Sequence, residues 1–279
     1  MRHTPRGLVA DRKLRQAESL AKSDFLPQGA YTSLRTYGGT GLILLDKHFD
    51  RLEESARLLG HPIQLDRAGV RHLLCTLLRE TCWEEREESR VRLTMDCSDQ
   101  IGDLWISLEP LSLPTVQDVT EGVAVLTRPM HRENPLAKDN AFIARSQEAH
   151  ALIGGRINEV LMVGPTGRVL EGLSSNFFGV QEGLLYTADE GVLPGLTRSL
   201  VLEEVERAGI PLRLEAILLG EVETLDEAFI SSSSRGVLPV VEIDGQPIGI
   251  GKPGPVTQLL RERYEARLQE ELEWVCDEH

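Results

Sequence analysis

Four short segments of this 279-residue chain hold side chains whose types and spacing could do chemistry. In DKHFDRLEESARLLG, Arg51 lies beside an apolar helical stripe. An arginine offers a planar fork of donors that matches phosphate oxygens, although alone it is more often a solvated face residue. RENPLAKDNAF sets Lys138 after a proline and among apolar neighbours. Desolvation there lowers a lysine's proton affinity and lets the free amine form an imine with a carbonyl compound. GRVLEGLSSNFF places Glu171 between a strand and a glycine, where a carboxylate can hold a protonated ring nitrogen. VLPGLTRSLVLEE opens a helix at Gly195, Leu196 and Thr197. Its unpaired first amides and its dipole both favour an anion. A phosphate clamp, an imine-forming amine and a carboxylate for a cationic ring are thus present, but no single segment is diagnostic.

The elements that must position these groups follow from periodicity. YTSLRTYGGTGLILLD reads as two strands around a turn at Gly38, Gly39 and Gly41. Asp46 is placed to cap the next helix, whose stripe is Phe49, Leu52, Ala56 and Leu59 and which Gly60 and Pro62 end. A second helix spans about 67–82 on Val70, Leu73, Leu74, Leu77 and Leu78, and strands follow at about 89–95 and 103–109. The first 25 residues are polar and weakly patterned, as expected of a segment lying loosely over something else. Past EPLSLPTVQDV come a strand near 122–127, the irregular RPMHRENP and a short helical pattern to about 150. A dense β region then runs through NEVLMVG, SNFFGV and LLYTA. A helix from PGLTR, strands at EAFISSSS and GVLPVVEIDG, and an amphipathic helix over about 253–272 complete the chain. Strands interrupted by helices without strict βαβ alternation predict an α+β fold in two domains, 1–114 and 115–279. Two domains imply a crevice for a ligand.

Composition excludes several alternatives. Lys plus Arg total 30 against 44 Asp plus Glu, a formal charge of -14, and no basic run is present. That sign is wrong for coating nucleic acid. No apolar stretch reaches the length of a membrane helix, and the N-terminus lacks the apolar core of a secretion signal. Cys75, Cys82, Cys97 and Cys276 share no CxxC spacing, which suits reduced thiols in a cytoplasm. The seven His form no ligand pair, so no metal site is expected. The GIGKPG spacing at Gly249, Gly251 and Gly254 lacks a following strand and is crossed by Pro253 and Pro255, so it reads as a loop entering a helix. Ser231 to Ser234 stand outside any GxSxG context.

Taken in order, the four segments resemble the class IV, or fold type IV, pyridoxal-phosphate-dependent aminotransferases. That family includes branched-chain aminotransferases, D-amino-acid transaminases and aminodeoxychorismate lyases. The likeness runs from about Gly29 to Thr257; EGLSSNFF with LPGLTR is its most specific part, reinforced by AFISSSSRGVLPVVEIDG. It implies a small N-terminal α/β domain and a larger, β-rich C-terminal domain that binds pyridoxal 5'-phosphate. It also implies a homodimer with the active site between the domains. By the same resemblance Lys138 matches the Schiff-base lysine, Glu171 the partner of the pyridine nitrogen, and Arg51 the phosphate arginine. Leu196 and Thr197 match the phosphate-binding amides, and Ser233 a hydroxyl that reaches the same phosphate. Ser234 matches a turn that faces a substrate carboxylate, and Tyr31 an aromatic lining the substrate pocket. Arg35 and Arg92 match basic positions of branched-chain enzymes, and each reads equally as a salt-bridge residue. Asp139 stands where many relatives have Thr or Ser, and Phe142 and Ile143 stand where branched-chain enzymes have a tyrosine. The implied activity is transfer of an amino group from an apolar L-amino acid to a 2-oxo acid such as 2-oxoglutarate, with Arg92 a candidate for a distal carboxylate. D-amino acids or (R)-amines are alternative donors, and a pyruvate-releasing lyase or a non-catalytic cofactor-binding protein are alternative functions.

Overall fold

A computed structural model describes residues 26–80, 88–98 and 100–276. The expectations for the first 25 residues and for Cys82 lie outside the described residues. The chain divides into two compact α+β units, but not by one cut near 114. The first takes the described residues up to Ser112, then Ala137–Ala144 and the stretch from Glu271; the second takes Leu113–Leu136 and Arg145–Glu270. Backbone pairing is the reason for the interleaving, since the segment at Lys138 bonds to the first strand and the last strand bonds to the second.

In the first unit, β1 (Gly29–Arg35), β3 (Ser89–Asp96) and β4 (Leu104–Pro110) form an antiparallel sheet in the order β1-β3-β4. Alternation sends Leu34, Val91, Leu93, Ile106 and Leu108 to one face. They pack there with Phe49, Leu52 and Ala56 of α1 (Leu45–Leu58) and with Val70, Leu74 and Leu77 of α2 (Arg67–Glu80). The helical stripes are those the periodicity predicts. Asp46 does not cap α1: the N-cap is Leu44, at φ 53° and without a side-chain bond. Asp46 sits inside the first turn and pairs with Arg67 and Arg71 of α2. Gly60, at φ 88°, supplies the left-handed residue that ends α1, and the His61 amide returns to the Ala56 carbonyl. Strand β2 (Gly41–Ile43) pairs with the terminal strand Leu272–Trp274. Cys75 and Cys276 form a disulfide with Cα atoms 5.0 Å apart, which corrects the expectation of reduced thiols at these two positions. Their 201-residue separation hides the pairing from any local spacing rule.

The second unit begins with α3 (Val116–Glu121), closed by a reciprocal capping box between Thr115 and Asp118. After strand β5 (Val123–Pro129) the chain passes through α4 (Ala141–Arg145), all but its last residue in the first unit, and continues in the second with α5 (Gln147–His150), β6 (Ile157–Val163), β7 (Val169–Gly172), β8 (Asn176–Gln181) and β9 (Leu184–Thr187). After α6 (Leu196–Arg207) come β10 (Leu212–Arg213), a 3-10 turn, β11 (Glu227–Ser232), β12 (Gly236–Ile243), β13 (Gln246–Pro247) and α7 (Pro255–Glu271). The ladder runs β8-β11-β12-β5-β6-β7 and closes where β7 pairs with β8, at Glu171 opposite Asn176. That pairing covers the edge of β7, while β9 and β10 extend the sheet from β8 and β13 pairs with β12. Phe178 and Phe229 stack across β8 and β11 with centroids 4.5 Å apart. GIGKPG is loop, as expected, and α7 starts at Pro255. Among the described residues, no helix is long and apolar enough to cross a membrane.

Candidate active site

In the first unit Lys138 is held by its own backbone. Its carbonyl accepts from the Tyr31 amide at 2.8 Å, and its amide donates to Ser55 Oγ at 3.1 Å. The residues on either side of that anchor are also tied down. Ala30 bridges Asp139, the Asn140 amide donates to the Gly29 carbonyl, and Asn140 Oδ1 accepts from the Gly29 amide. Asp139 Oδ1 accepts from the Phe142 amide at 3.0 Å, so the unexpected aspartate organises the start of α4. The Lys138 Nζ lies 5.2 Å from the centroid of the Tyr31 ring, and the Arg92 guanidinium carbon lies 5.1 Å from the same centroid. Tyr31 therefore carries two cations on one π-system.

Arg51 follows His48 by one turn of α1, and Ser55 follows Arg51 by another. His48 is buried, with Nδ1 2.6 Å from Thr32 Oγ1. Burial, reinforced by the charges of Arg51 and Lys138, holds its imidazole well below the usual histidine range, so the ring is neutral at neutral pH. That coupling places both cations near one imidazole. The 3-and-4 spacing of His48, Arg51 and Ser55 was a readable polar stripe beside the apolar one, yet only Arg51 stands out from sequence. Arg35 pairs with Glu88 and packs on Tyr37, and Arg92 pairs with Glu109. Both arginines thus act as ion-pair residues in this structure.

In the second unit Glu171 is 2% exposed, and both of its oxygens are engaged. Oε1 accepts from Arg132 Nε at 2.7 Å; Oε2 accepts from Asn176 Nδ2 and from the Leu193 amide, each at 3.1 Å. Asn176 also donates to the Leu193 carbonyl at 2.8 Å, which fastens the VLPG segment against the carboxylate. Gly195 is required there, because a Cβ would run into Asn176 Oδ1. One residue later α6 begins with no side-chain cap and no acidic residue in its first turn, and Thr197 is buried. The first amides, at Leu196 and Thr197, therefore meet no anionic side chain from their own turn.

A second carboxylate shapes the serine-rich motif. Glu159 is fully buried and accepts from Arg235 Nη2 at 2.6 Å, from Ser174 Oγ at 2.8 Å and from Ser175 Oγ at 2.9 Å. Burial pushes this carboxyl up, but the Arg235 guanidinium and these hydrogen bonds outweigh it and hold the group below its ordinary value. Arg235 also reaches Asn158, so the turn carrying Ser233 and Ser234 is anchored to β6. Sequence reading misses Arg132, Glu159 and Arg235. Arg132 lies in a segment that looks irregular, and the other two become partners only through strand register.

Comparison with known proteins shows the family and the fold. The profile of the family described as Amino-transferase class IV matches residues 29–243. The branched-chain-amino-acid aminotransferase of Pseudomonas aeruginosa is 28% identical over 256 residues, covering 85% of this chain and 82% of that protein. The D-alanine aminotransferase of Staphylococcus aureus (strain N315) is 36% identical over 103 residues, 36% of each chain. The branched-chain amino acid aminotransferase of Escherichia coli superposes with a TM-score of 0.75 at 17% identity, covering 94% of this chain and 95% of that one. A further branched-chain amino acid aminotransferase, solved in complex with N-(5'-phosphopyridoxyl)-L-glutamate, superposes equally well, with a TM-score of 0.75 at 20% identity over 93% of this chain and 95% of its own.

Proposed function

The chain belongs to the class IV aminotransferase family, and from that premise we propose that it uses pyridoxal 5'-phosphate to pass an amino group from an apolar L-amino acid to a 2-oxo acid, working as a homodimer. The observation that carries the reading is the fixation of Lys138 by both of its backbone groups, with its amine over the Tyr31 ring.

The residues present fit that cofactor. An uncapped helix start without acidic neighbours suits a phosphate, and a buried carboxylate held on both oxygens suits a pyridinium. Arg51, Leu196, Thr197 and Ser233 would hold the phosphate, Glu171 the ring nitrogen, and Lys138 the aldehyde carbon. When bound, pyridoxal 5'-phosphate supplies a sink for the electron pair left on the substrate carbon. Lys138 Nζ is the group that would take the proton from the substrate carbon and hand it back, as base and then acid. Glu171, ion-paired with Arg132 at 2.7 Å, would present its carboxylate to the ring nitrogen. Tyr31 lines the substrate side beside Lys138, and Ser234 offers its turn to the substrate carboxylate.

Arg51→Ala removes a charge-assisted contact to the phosphate. Cofactor affinity should fall about ten- to a hundredfold, read by titrating the apoprotein with pyridoxal 5'-phosphate. Donor choice is tested by half-reactions with L-leucine, D-alanine and (R)-1-phenylethylamine, each followed by loss of the holoprotein's visible absorbance. L-leucine should react fastest. A faster D-alanine or amine reaction removes the L-amino-acid assignment, and pyruvate release without an acceptor would make the protein a lyase.

A further inference from the structure

The face of the β1-β3-β4 sheet opposite the core carries an unusual set of polar side chains. Alternation places Tyr31, Ser33 and Arg35 there from β1, Arg90, Arg92 and Thr94 from β3, and Trp105, Ser107 and Glu109 from β4. The register sets Arg92 between Ser33 and Ser107, and Arg90 between Arg35 and Glu109. Glu109 is therefore the diagonal neighbour of Arg92. Arg92 Nη2 donates to Glu109 Oε2 at 3.3 Å, and Nε lies 2.9 Å from Oε1, off the line of its N–H bond. Arg90 Nη1 stands farther off, 3.6 Å from the same carboxylate. The Arg92 and Glu109 side chains are 12% and 4% exposed. Ser107, directly across from Arg92, makes no bond to it: its Oγ, like Thr94 Oγ1 and Trp105 Nε1, is buried without a hydrogen-bond partner among the described residues. The polar partner of the guanidinium on this patch is therefore the Glu109 carboxylate and not the hydroxyl across from it. The pair also lies close to the chemistry, since Arg92 and Lys138 address the same Tyr31 ring.

We propose that Glu109 is a specificity-determining residue which, by holding Arg92, selects 2-oxo acids without a second carboxylate over dicarboxylates such as 2-oxoglutarate. The inference rests on the aminotransferase reading with Lys138 as the reacting amine. A distal carboxylate that approaches Arg92 meets a carboxylate already in place. It must either sit beside a like charge or compete with Glu109 for the Arg92 guanidinium. Neither cost falls on an acceptor that ends in a methyl group. Discrimination of this kind comes from an unfavourable term against the wrong substrate, not from a better contact to the right one. Glu109 acts through Arg92 and touches no reacting atom, so it is a positioning residue.

The test uses the holoprotein, E109Q and E109D. Binding of glutarate and of pentanoate is measured by calorimetry, and kcat/KM is measured with 2-oxoglutarate and with pyruvate. The wild type should favour pentanoate and pyruvate. E109Q should raise the glutarate-to-pentanoate affinity ratio and the 2-oxoglutarate-to-pyruvate kcat/KM ratio about tenfold or more, with E109D keeping the wild-type preference. A wild type that prefers the dicarboxylates overturns the proposal without any variant, and so do unmoved ratios in E109Q. If no amino group reaches either acceptor, the aminotransferase reading itself has failed, whereas turnover with unmoved ratios removes only the role of Glu109.

Discussion

Lys138→Ala is expected to lower the rate of amino transfer by roughly a thousandfold or more, because one amine serves as both base and acid in the proton relay. The scaffold around it should survive. The backbone anchors of Lys138 are its own amide and carbonyl, and Asp139 and Asn140 fix the flanking backbone independently of the lysine side chain. The variant should therefore fold with a thermal midpoint close to the wild type and still bind pyridoxal 5'-phosphate noncovalently. Single-turnover half-reactions with L-leucine, compared with circular dichroism of both proteins, separate loss of chemistry from loss of fold. A folded Lys138→Ala protein that transaminates at the wild-type rate would remove the lysine from the mechanism.

Glu171→Gln should be the second large effect, and it should strike turnover harder than cofactor retention. Removing the charge opposite a ring nitrogen forfeits electrostatic stabilisation at the point where charge develops, and turnover should fall about a hundredfold. The substitution also disturbs the site locally. Oε2 accepts from both Asn176 and the Leu193 amide, so an amide nitrogen at that position would face two donors. Arg132, 6% exposed in its side chain, would lose its counter-charge. Stripping one partner from a buried pair costs roughly 3–5 kcal/mol, and a shape-preserving Gln should fall at or below the low end of that range. Thermal melts with and without cofactor measure the stability loss, and stopped-flow half-reactions measure the chemistry. Wild-type turnover in Glu171→Gln would end the claim that this carboxylate holds the ring nitrogen.

Much of the fold is legible from local pattern. The stripes of α1 and α2, the left-handed stop at Gly60 and the strands around EGLSSNFF follow from periodicities and turn residues that act within a few positions. Glu171 and the start of α6 emerge for the same reason, because the groups that define them are adjacent in sequence. What escapes is partner choice across the sheet. Arg132 to Glu171, Arg235 to Glu159 and Arg92 to Glu109 are pairs separated by 39, 76 and 17 positions, and each depends on how strands align. Asp46 shows the limit at short range: its place before an apolar stripe suggests a cap, but two arginines of α2 draw its side chain away from the backbone. Lys138 illustrates a subtler gap. Its match to the imine lysine comes with the resemblance of the RENPLAKDNAF segment, whereas its attachment to β1, and so to the first compact unit, comes from a bridge over a hundred residues distant.

Borohydride reduction of the holoprotein followed by peptide mapping tests the central claim most directly. The reduced pyridoxyl group should be found on the peptide containing Lys138, in about one equivalent per chain by the single-imine chemistry of the site. An adduct on Lys47 or Lys252, or none at all from a protein that binds the cofactor, would contradict the account.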